Sequence, residues 1–268
     1  MLIHCVDFQA KDTSFPKRLP FYGKSISLQS SVTFFVGDNG SGKSTLLELI
    51  AEKLRLIRIY QPQKTYEKLT ATIEQVMDTF TIAYTTRPKG VFFGAEDFTS
   101  YIHSLEQEKM HSNIELERVE REYQHKSVFA KSQARMPYAR TLNDIEQLHE
   151  NDLLRESHGE AYLDFFKSRI RDHHLYLLDE PETPLSIQNQ FALMIIIKDA
   201  IKRGCQFLIA THSPVLTAFP DAVIYELTDS NIQVRRYDEL TFVQTMKDFL
   251  NHKDRYLHRL FDDDLKNE

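Results

Sequence analysis

Residues 37–45 combine glycine with lysine, serine and threonine in an order suited to holding phosphate. The segment reads Gly-Asp-Asn-Gly-Ser-Gly-Lys-Ser-Thr and matches the Walker A phosphate-loop pattern completely. Its small residues let the backbone curl so that amide hydrogens point at phosphate oxygens, and the following helix adds the positive end of its dipole. The segment therefore predicts a site for the phosphates of a nucleotide. Its candidate contacts are Asn39, Gly40, Ser41, Gly42, Lys43, Ser44 and Thr45.

Side chains of this loop have separate expected tasks. We expect the Lys43 ammonium to reach the β and γ phosphates of ATP, and the Ser44 hydroxyl to ligate the Mg²⁺ ion that bridges the same two phosphates. Thr45 is expected near the α phosphate. The alternative, a glycine-rich turn before an ordinary helix, is disfavoured by the complete match at a strand-to-helix junction.

Two adjacent carboxylates follow the apolar run at residues 175–178. The run, Leu-Tyr-Leu-Leu, predicts a buried strand that delivers Asp179 and Glu180 to the carboxyl edge of a sheet, where ligands collect. We expect Asp179 to hold Mg²⁺, and Glu180, on the opposite side of the strand, to orient or deprotonate the water that attacks the γ phosphate. Two acids before Pro181 can instead cap a turn. The phosphate loop favours the hydrolytic interpretation.

The elements that must position these residues follow an α/β rhythm, which implies a mainly parallel sheet with flanking helices. Runs rich in β-branched and aromatic residues predict strands, and apolar residues spaced by three and four predict helices. The predicted strands are 2–8, 32–36, 175–178, 206–210, 222–227 and 231–237, and the predicted helices are 43–57 and 188–203. The first helix should bury one face made of Leu46, Leu47, Ile50, Leu54 and Ile57.

Residues 98–156 differ in character and predict a helical subdomain inserted into a single domain that spans residues 1–268. The charge-rich stretch 102–126 keeps an interrupted helical stripe, and Pro137 is expected to break the helical pattern. The mixed charges at residues 106–121 fit a solvated helix face better than a binding surface.

The composition is that of an ordinary globular protein. The chain has 268 residues, of which 41% are hydrophobic and 27% charged, and a formal net charge of -6. This balance disfavours a wholly basic nucleic-acid-binding domain, although a local basic patch stays open. Cys5 and Cys205 lack metal-ligand spacing, so we expect reduced, packing cysteines. Without a signal-like start or a long apolar run, we expect a cytoplasmic protein with no membrane insertion.

Several further segments resemble ABC ATPases. Residues 178–181 are similar to their Walker B strand and catalytic glutamate, residues 211–214 to their switch histidine, and Ser186 matches the location of their D-loop. Residues 157–160, Ser-His-Gly-Glu, lie near the usual position of the ABC signature but depart from the transporter sequence Leu-Ser-Gly-Gly-Gln. This version is similar to stand-alone, non-transporter ATPases of bacteria.

The resemblance implies a P-loop NTPase fold of the ABC type, with ATP and Mg²⁺ held between two copies arranged head to tail. Ser157 and the Gly159 amide would contact the γ phosphate of ATP on the opposite subunit, and His212 would sense that phosphate. Glu96 would take the Q-loop position and act as a candidate Mg²⁺ ligand. Other roles stay open: Ser157 as a helix N-cap with Glu160 completing a capping box, His212 as a structural histidine, and Glu96 as an ordinary surface acid.

The expected function is ATP hydrolysis that drives or times a change in a separate effector protein, in an antiviral defence or DNA-repair assembly. The main alternative is a slowly hydrolysing, ATP-bound scaffold that recruits or restrains an effector. The signature disfavours a transporter subunit, and the insertion is too short for the long coiled-coil arm of a Rad50-like machine. Direct DNA binding stays open.

Two other features have structural interpretations. The aromatic residues Phe92, Phe93 and Phe98 are expected to pack in the core rather than to stack on bases. His173 and His174 are adjacent on a predicted strand, so their side chains should point to opposite faces and cannot readily share one metal ion.

Overall fold

The computed structural model describes residues 1–58, 75–148 and 158–261, and for residues 95–96, 146–148 and 158 it describes the backbone alone. The strands are β1 (Cys5–Phe8), β2 (Ser25–Ser27), β3 (Val32–Gly37), β4 (Ile57–Arg58), β5 (Phe80–Ala83), β6 (Gly90–Gly94), β7 (Leu175–Asp179), β8 (Gln206–Ala210), β9 (Val223–Leu227) and β10 (Ile232–Arg235). The helices are α1 (Lys43–Leu54), α2 (Ala95–Glu122), α3 (Val128–Leu148), α4 (His158–Arg169), α5 (Ile187–Lys202), α6 (Thr241–Asn251) and α7 (Lys253–Phe261).

The main sheet has the strand order β10-β9-β3-β8-β7-β6-β4. Every neighbouring pair in it is parallel except β9 with β10, which run antiparallel. A smaller antiparallel sheet has the order β2-β1-β5. The prediction of an α/β fold with a mainly parallel sheet is confirmed.

Both faces of the main sheet are covered, which explains why its central strands are apolar throughout. Along β7, Leu175 and Leu177 belong to a core shared with α1 and the small sheet, whereas Tyr176 and Leu178 belong to a core shared with α4 and α5. The alternation follows from the two-residue period of a strand. Because β3 and β7 flank β8, the phosphate loop and the carboxylate pair reach the same edge of the sheet.

Helix α1 is three residues shorter than predicted. Arg55 caps it with a left-handed backbone, φ 49°, and donates its N–H to the carbonyls of Ala51 and Glu52. Ile57 therefore lies beyond the helix, in β4, with 71% of its surface exposed. Its predicted place on the buried face is wrong, while the other four residues of that face are buried.

The predicted insertion contains two long helices, α2 and α3, which pack as an antiparallel hairpin. Close to their connection, Lys131 and Arg135 form ion pairs with Glu120. Pro137 lies inside α3, so the expectation that it breaks the helical pattern is wrong. Packing along α2 outweighs the local cost of a proline in a helix, which is about 3 kcal/mol.

The aromatic residues near the start of α2 join three elements. Phe93 of β6 stacks near Phe98 of α2, with ring centroids 6.1 Å apart, and both rings contact Tyr162 of α4 edge to face at 4.9 and 5.0 Å. Phe92, like these two phenylalanines, is almost completely buried, which confirms the core-packing interpretation. Within the described ranges, no helix has the length and apolar content needed to cross a bilayer.

Candidate functional site

The phosphate loop requires glycine at two positions of its pattern, Gly37 and Gly42. Gly37 closes β3 with φ 144°, and a Cβ there would overlap the carbonyl oxygen of Leu227 on β9. Gly42, which precedes α1, has φ 99°. Side chains other than hydrogen are disfavoured in this left-handed region. The loop is therefore held between β3 and α1 in a conformation that glycine alone adopts readily.

Lys43 begins α1 and folds back under the loop. Its side chain is buried, and its Nζ donates hydrogen bonds to the carbonyl oxygens of Gly37 at 2.8 Å and Asp38 at 3.0 Å. Burial lowers the pKa of Lys43, and the nearby carboxylates of Glu180 and Asp179 act against that effect. An ammonium in this place lies among anionic groups and is able to exchange its carbonyl partners for phosphate oxygens.

The loop also contains a polar atom that lacks a protein partner. The Ser41 hydroxyl is buried, and none of the described residues forms a hydrogen bond with it. An unpaired buried hydroxyl is costly, so a polar group is expected to satisfy it. A phosphate oxygen fits this requirement. Asn39 and Gly40 lie exposed in the same loop, and Thr45 is half-buried in the first turn of α1.

Asp179 ends β7 beside the first turn of α1. Its Oδ1 accepts a hydrogen bond from the Ser44 hydroxyl at 3.0 Å. Burial raises the pKa of Asp179 to about 7; Glu180 also raises it, whereas the hydrogen bond from Ser44 and the charge of Lys43 lower it. Hydroxyl and carboxylate oxygens are the ligands that Mg²⁺ prefers, so the predicted pair for the metal comes together here.

Glu180 lies one residue beyond β7 rather than within it. Its φ of 48° is unusual for a residue other than glycine, and its N–H donates to the carbonyl of Ala210 at 2.9 Å. The Glu180 carboxylate lies 3.8 Å from Nε2 of His212, and both side chains are partly exposed. The two predicted catalytic residues are therefore neighbours, at the open side of the site.

A buried ion pair beside Asp179 was not predicted from the sequence. Glu48 of α1 lies 3.9 Å from Arg58 of β4, and both side chains are largely buried. Burial raises the pKa of Glu48 to about 7, Arg58 lowers it, and Asp179 and Asp97 raise it further. The sequence feature that could have indicated this buried acid is its place between two leucines, Leu47-Glu48-Leu49, on a helix with a buried face.

Gly159 lies near the start of α4, packed against the segment that leads into α5. A Cβ at Gly159 would meet the Asn189 side chain at 2.6 Å and the Pro184 carbonyl at 3.0 Å. Ser186 caps α5 by accepting the Asn189 N–H at 3.2 Å. The predicted contact residue Ser157 lies outside the described residues, so its role stays a prediction.

Glu96, the candidate at the Q-loop position, lies in the first turn of α2. Its side chain is outside the part that the structure describes. The backbone places it close to the carboxylate pair, because Gly94 at the end of β6 is the sheet partner of Asp179. Metal ligation by Glu96 stays a prediction.

A cavity of about 780 Å³ adjoins the phosphate loop. Gly37, Asp38, Ser41 and His212 line one side of it, and residues of α6 and α7, including Phe249, line another. Its volume lies within the range of small-molecule sites, roughly 300–1,000 Å³. The phosphate loop, His212 and helices α6 and α7 therefore line one open space.

Two family models match the chain. The model described as ABC transporter matches residues 25–183, which is more than half of the chain. The model described as "AAA domain, putative AbiEii toxin, Type IV TA system" matches residues 157–218. A search of curated proteins found no match.

Three solved structures that align with most of the chain share little sequence with it. An inward-facing putative metal-chelate type ABC transporter is 19% identical, with coverage of 92% of this chain and 88% of that chain and a TM-score of 0.46. The SMC head domain from Thermotoga maritima is 14% identical, with coverage of 88% and 100% and a TM-score of 0.47. A dimeric bacterial ABC transporter cassette is 15% identical, with coverage of 89% and 100% and a TM-score of 0.46.

Proposed function

The chain belongs to the ABC family of P-loop ATPases, and we propose that it hydrolyses ATP as a head-to-tail dimer that controls a separate effector protein. ATP binding and ATPase activity follow from the family. The dimer, Mg²⁺ and the effector are the proposed parts.

The observation that carries the proposal is the convergence of the phosphate loop and the carboxylate pair. Ser44 donates to Asp179 at 3.0 Å, and Glu180 lies 3.8 Å from His212. These contacts bring a metal-ligand pair and a candidate base together with the buried cation Lys43. Hydrolysis of a phosphoanhydride depends on this combination of charge neutralisation and water activation.

The residues act in sequence in the proposed mechanism. Lys43 releases the carbonyls of Gly37 and Asp38 and donates to the β and γ phosphates. Ser44 and Asp179 would hold Mg²⁺, which would offset the phosphate charge when bound. Glu180 accepts a proton from a water molecule while the water oxygen attacks the γ phosphorus. The bond between the γ phosphorus and the β–γ bridging oxygen then breaks, which gives ADP and phosphate.

The opposite subunit completes the site in this proposal. Ser157 and the Gly159 amide, at the start of α4, would contact the γ phosphate bound to the partner. A helix N-terminus favours an anion, and Gly159 packs tightly against Pro184 and Asn189, which fixes the position of this part of α4. A single copy would then bind ATP but hydrolyse it slowly.

We place the effector in a bacterial defence or DNA-repair assembly. Support comes from the second family model, whose description names a toxin of a type IV system and whose matched residues include Glu180 and His212. The Ser-His-Gly-Glu segment, which differs from that of transporters, also favours a partner other than a membrane channel. Loss of the γ phosphate would separate the dimer and release or activate the effector.

The test compares the native chain with Glu180→Gln in the presence of Mg²⁺ and ATP. The variant should bind ATP like the native chain, turn it over about 10²- to 10⁴-fold more slowly, and accumulate as a dimer by mass measurement. Glu122→Gln, at an exposed acid on α2, is the matched control and should behave like the native chain.

Two outcomes would count against the proposal. Equal turnover in the native chain and Glu180→Gln would remove Glu180 from the mechanism. Negligible turnover in the native chain, with a monomer at saturating ATP, would instead favour a scaffold that hydrolyses ATP slowly.

A further inference from the structure

Glu182 is a half-buried acid with a specific hydrogen-bond partner, and the mechanism above does not use it. It lies in the turn after Glu180, where Thr183 N–H donates to the Glu180 carbonyl at 3.1 Å and Leu185 N–H donates to the Glu182 carbonyl at 2.8 Å. The side chain points inward, and its Oε1 accepts the backbone N–H of His212 at 2.7 Å. One hydrogen bond thus joins the turn after β7 to the turn after β8.

This hydrogen bond fixes the backbone from which the His212 imidazole projects. On the other side of His212, the Ser213 N–H donates to the Thr211 hydroxyl at 2.9 Å, and the Ser213 hydroxyl donates to Gln190 at 2.6 Å. The His212 imidazole is consequently held near Glu180 by bonds to its main chain. A shift of Glu182 would move that imidazole relative to the attacking water.

Burial raises the pKa of Glu182, and the His212 amide and the Thr211 hydroxyl beside the carboxylate act against that effect. The second oxygen of Glu182 is buried and, among the described residues, receives no hydrogen bond of ordinary geometry. The hydroxyl of Tyr162 on α4 is also buried and has no hydrogen-bond partner among the described residues, and Tyr162 as a whole is fully buried. Burial raises the pKa of Tyr162 well above its usual value, and the charges of Glu182 and Asp179 add to that. Tyr162 therefore keeps its O–H, which is a donor, while Glu182 offers an acceptor.

The Tyr162 hydroxyl is a donor and the second Glu182 oxygen an acceptor, and both are buried. A conformation in which the hydroxyl donates a hydrogen bond to this oxygen is therefore favoured. Leaving both without partners is costly, and joining them recovers that cost. Tyr162 lies on the helix that begins beside Gly159, the segment proposed above to contact the partner's nucleotide. Movement of α4 is thus able to bring the hydroxyl to the carboxylate.

We propose that Glu182 is a positioning residue for ATP hydrolysis. One of its oxygens holds the His212 amide, and the other receives the Tyr162 hydroxyl when α4 engages ATP across the dimer. A shift of α4 would thereby change the position of the His212 imidazole. The link to α4 rests on the proposed dimer, whereas the link to His212 is present in the single chain.

The first test is a set of variants at Glu182, read as kcat and KM for ATP. Glu182→Ala removes both links and should lower kcat by about 10- to 100-fold, with KM within about threefold of the native value. Glu182→Gln retains an acceptor for the His212 amide but has no second oxygen for the Tyr162 hydroxyl, so it should recover kcat only to about the level of Tyr162→Phe. A melting temperature for each variant separates loss of folded protein from loss of turnover.

The second test isolates α4. Tyr162→Phe keeps the packing but removes the hydroxyl, and should lower kcat by about 5- to 10-fold. A purely structural hydroxyl without a partner would leave kcat unchanged. The matched control is Thr33→Val on β3, which removes another buried hydroxyl that has no hydrogen-bond partner in the described part of the chain. It should retain the native kcat.

The double variant distinguishes a shared path from two separate effects. Combined Glu182→Ala and Tyr162→Phe should cost little more than Glu182→Ala alone, because both changes interrupt one connection. Multiplicative losses, or native kcat in either single variant, would overturn the inference. If the native chain itself neither turns over ATP nor dimerises, the proposed function fails instead, and that outcome is visible before any variant is compared.

Discussion

The Ser44 hydroxyl donates a hydrogen bond of 3.0 Å to Asp179, across 135 positions of the chain. The first turn of α1 and the end of β7 therefore meet at one point. Because one partner is a hydroxyl and the other a carboxylate, this contact brings the two proposed oxygen ligands of Mg²⁺ together on two rigid elements. Ligands held on helices and strands are placed more precisely than ligands on loops.

We predict that Ser44→Ala raises the Mg²⁺ concentration needed for half-maximal turnover by at least ~10-fold. The change removes one ligand and the hydrogen bond that orients the other. Titration of the ATPase rate with Mg²⁺ measures the effect. Ser44→Thr keeps the hydroxyl and should stay close to the native chain, so equal losses in both variants would contradict the assignment.

Gly37→Ala is expected to lower the free energy of unfolding by about 3 kcal/mol or more. The added methyl would overlap the Leu227 carbonyl, in a backbone conformation that is already disfavoured. Gly40→Ala is the matched change, because φ there is also positive but no atom of the described residues lies within 4 Å of the added methyl. It should cost only about 1–2 kcal/mol. Urea denaturation of both variants gives the comparison.

Glu48 should make stability depend on pH. Its pKa is raised to about 7 by burial, so between the unfolded value and about 7 the folded chain keeps a proton that the unfolded chain has lost. The free energy of unfolding therefore falls as pH rises through this range, by up to about 3 kcal/mol. Glu48→Gln removes this contribution.

Urea denaturation at pH 5 and pH 8, without nucleotide, measures that difference. The native chain should lose more stability between the two pH values than Glu48→Gln does. Glu122→Gln, at an exposed position, should retain the native difference. The same loss in all three proteins would show that Glu48 does not titrate in this range.

The positions in the fold that the sequence predicted correctly belong to residues whose sequence pattern lies in one short contiguous segment. Lys43 and Ser44 belong to a nine-residue phosphate-loop pattern, which requires a particular backbone conformation to bind phosphate. Asp179 follows an apolar run that predicts a buried strand. Position alone then brings them together, because parallel strands end at one edge of the sheet.

Residues whose surroundings come from distant parts of the chain were missed. Glu182 gains its role from His212, and Glu48 from Arg58 on a two-residue strand. Ile57 was misplaced because Arg55 ends α1 in a left-handed conformation without glycine, which local propensity disfavours. Pro137 was misplaced because packing between two helices overrode a local rule.

Pro137→Ala should stabilise α3, because alanine restores a backbone N–H and avoids the clash of the proline ring with the preceding turn. We expect about 1–3 kcal/mol at this site, visible as slower amide hydrogen exchange along α3. Ala134→Gly, in the same helix, should shift exchange in the opposite direction by about 1 kcal/mol. Faster exchange in Pro137→Ala would mean that the helix requires the proline.

The place where α2 begins has a mechanical consequence. The helix starts directly after Gly94, the sheet partner of Asp179, and runs for 28 residues. At about 1.5 Å per residue it is a lever about 42 Å long, so a tilt of about 10° at its base would carry its far end through about 7 Å. A displacement of less than a bond length beside the nucleotide site would thus become a movement of several ångströms near Glu122. A movement of that size changes the surface that another protein would contact.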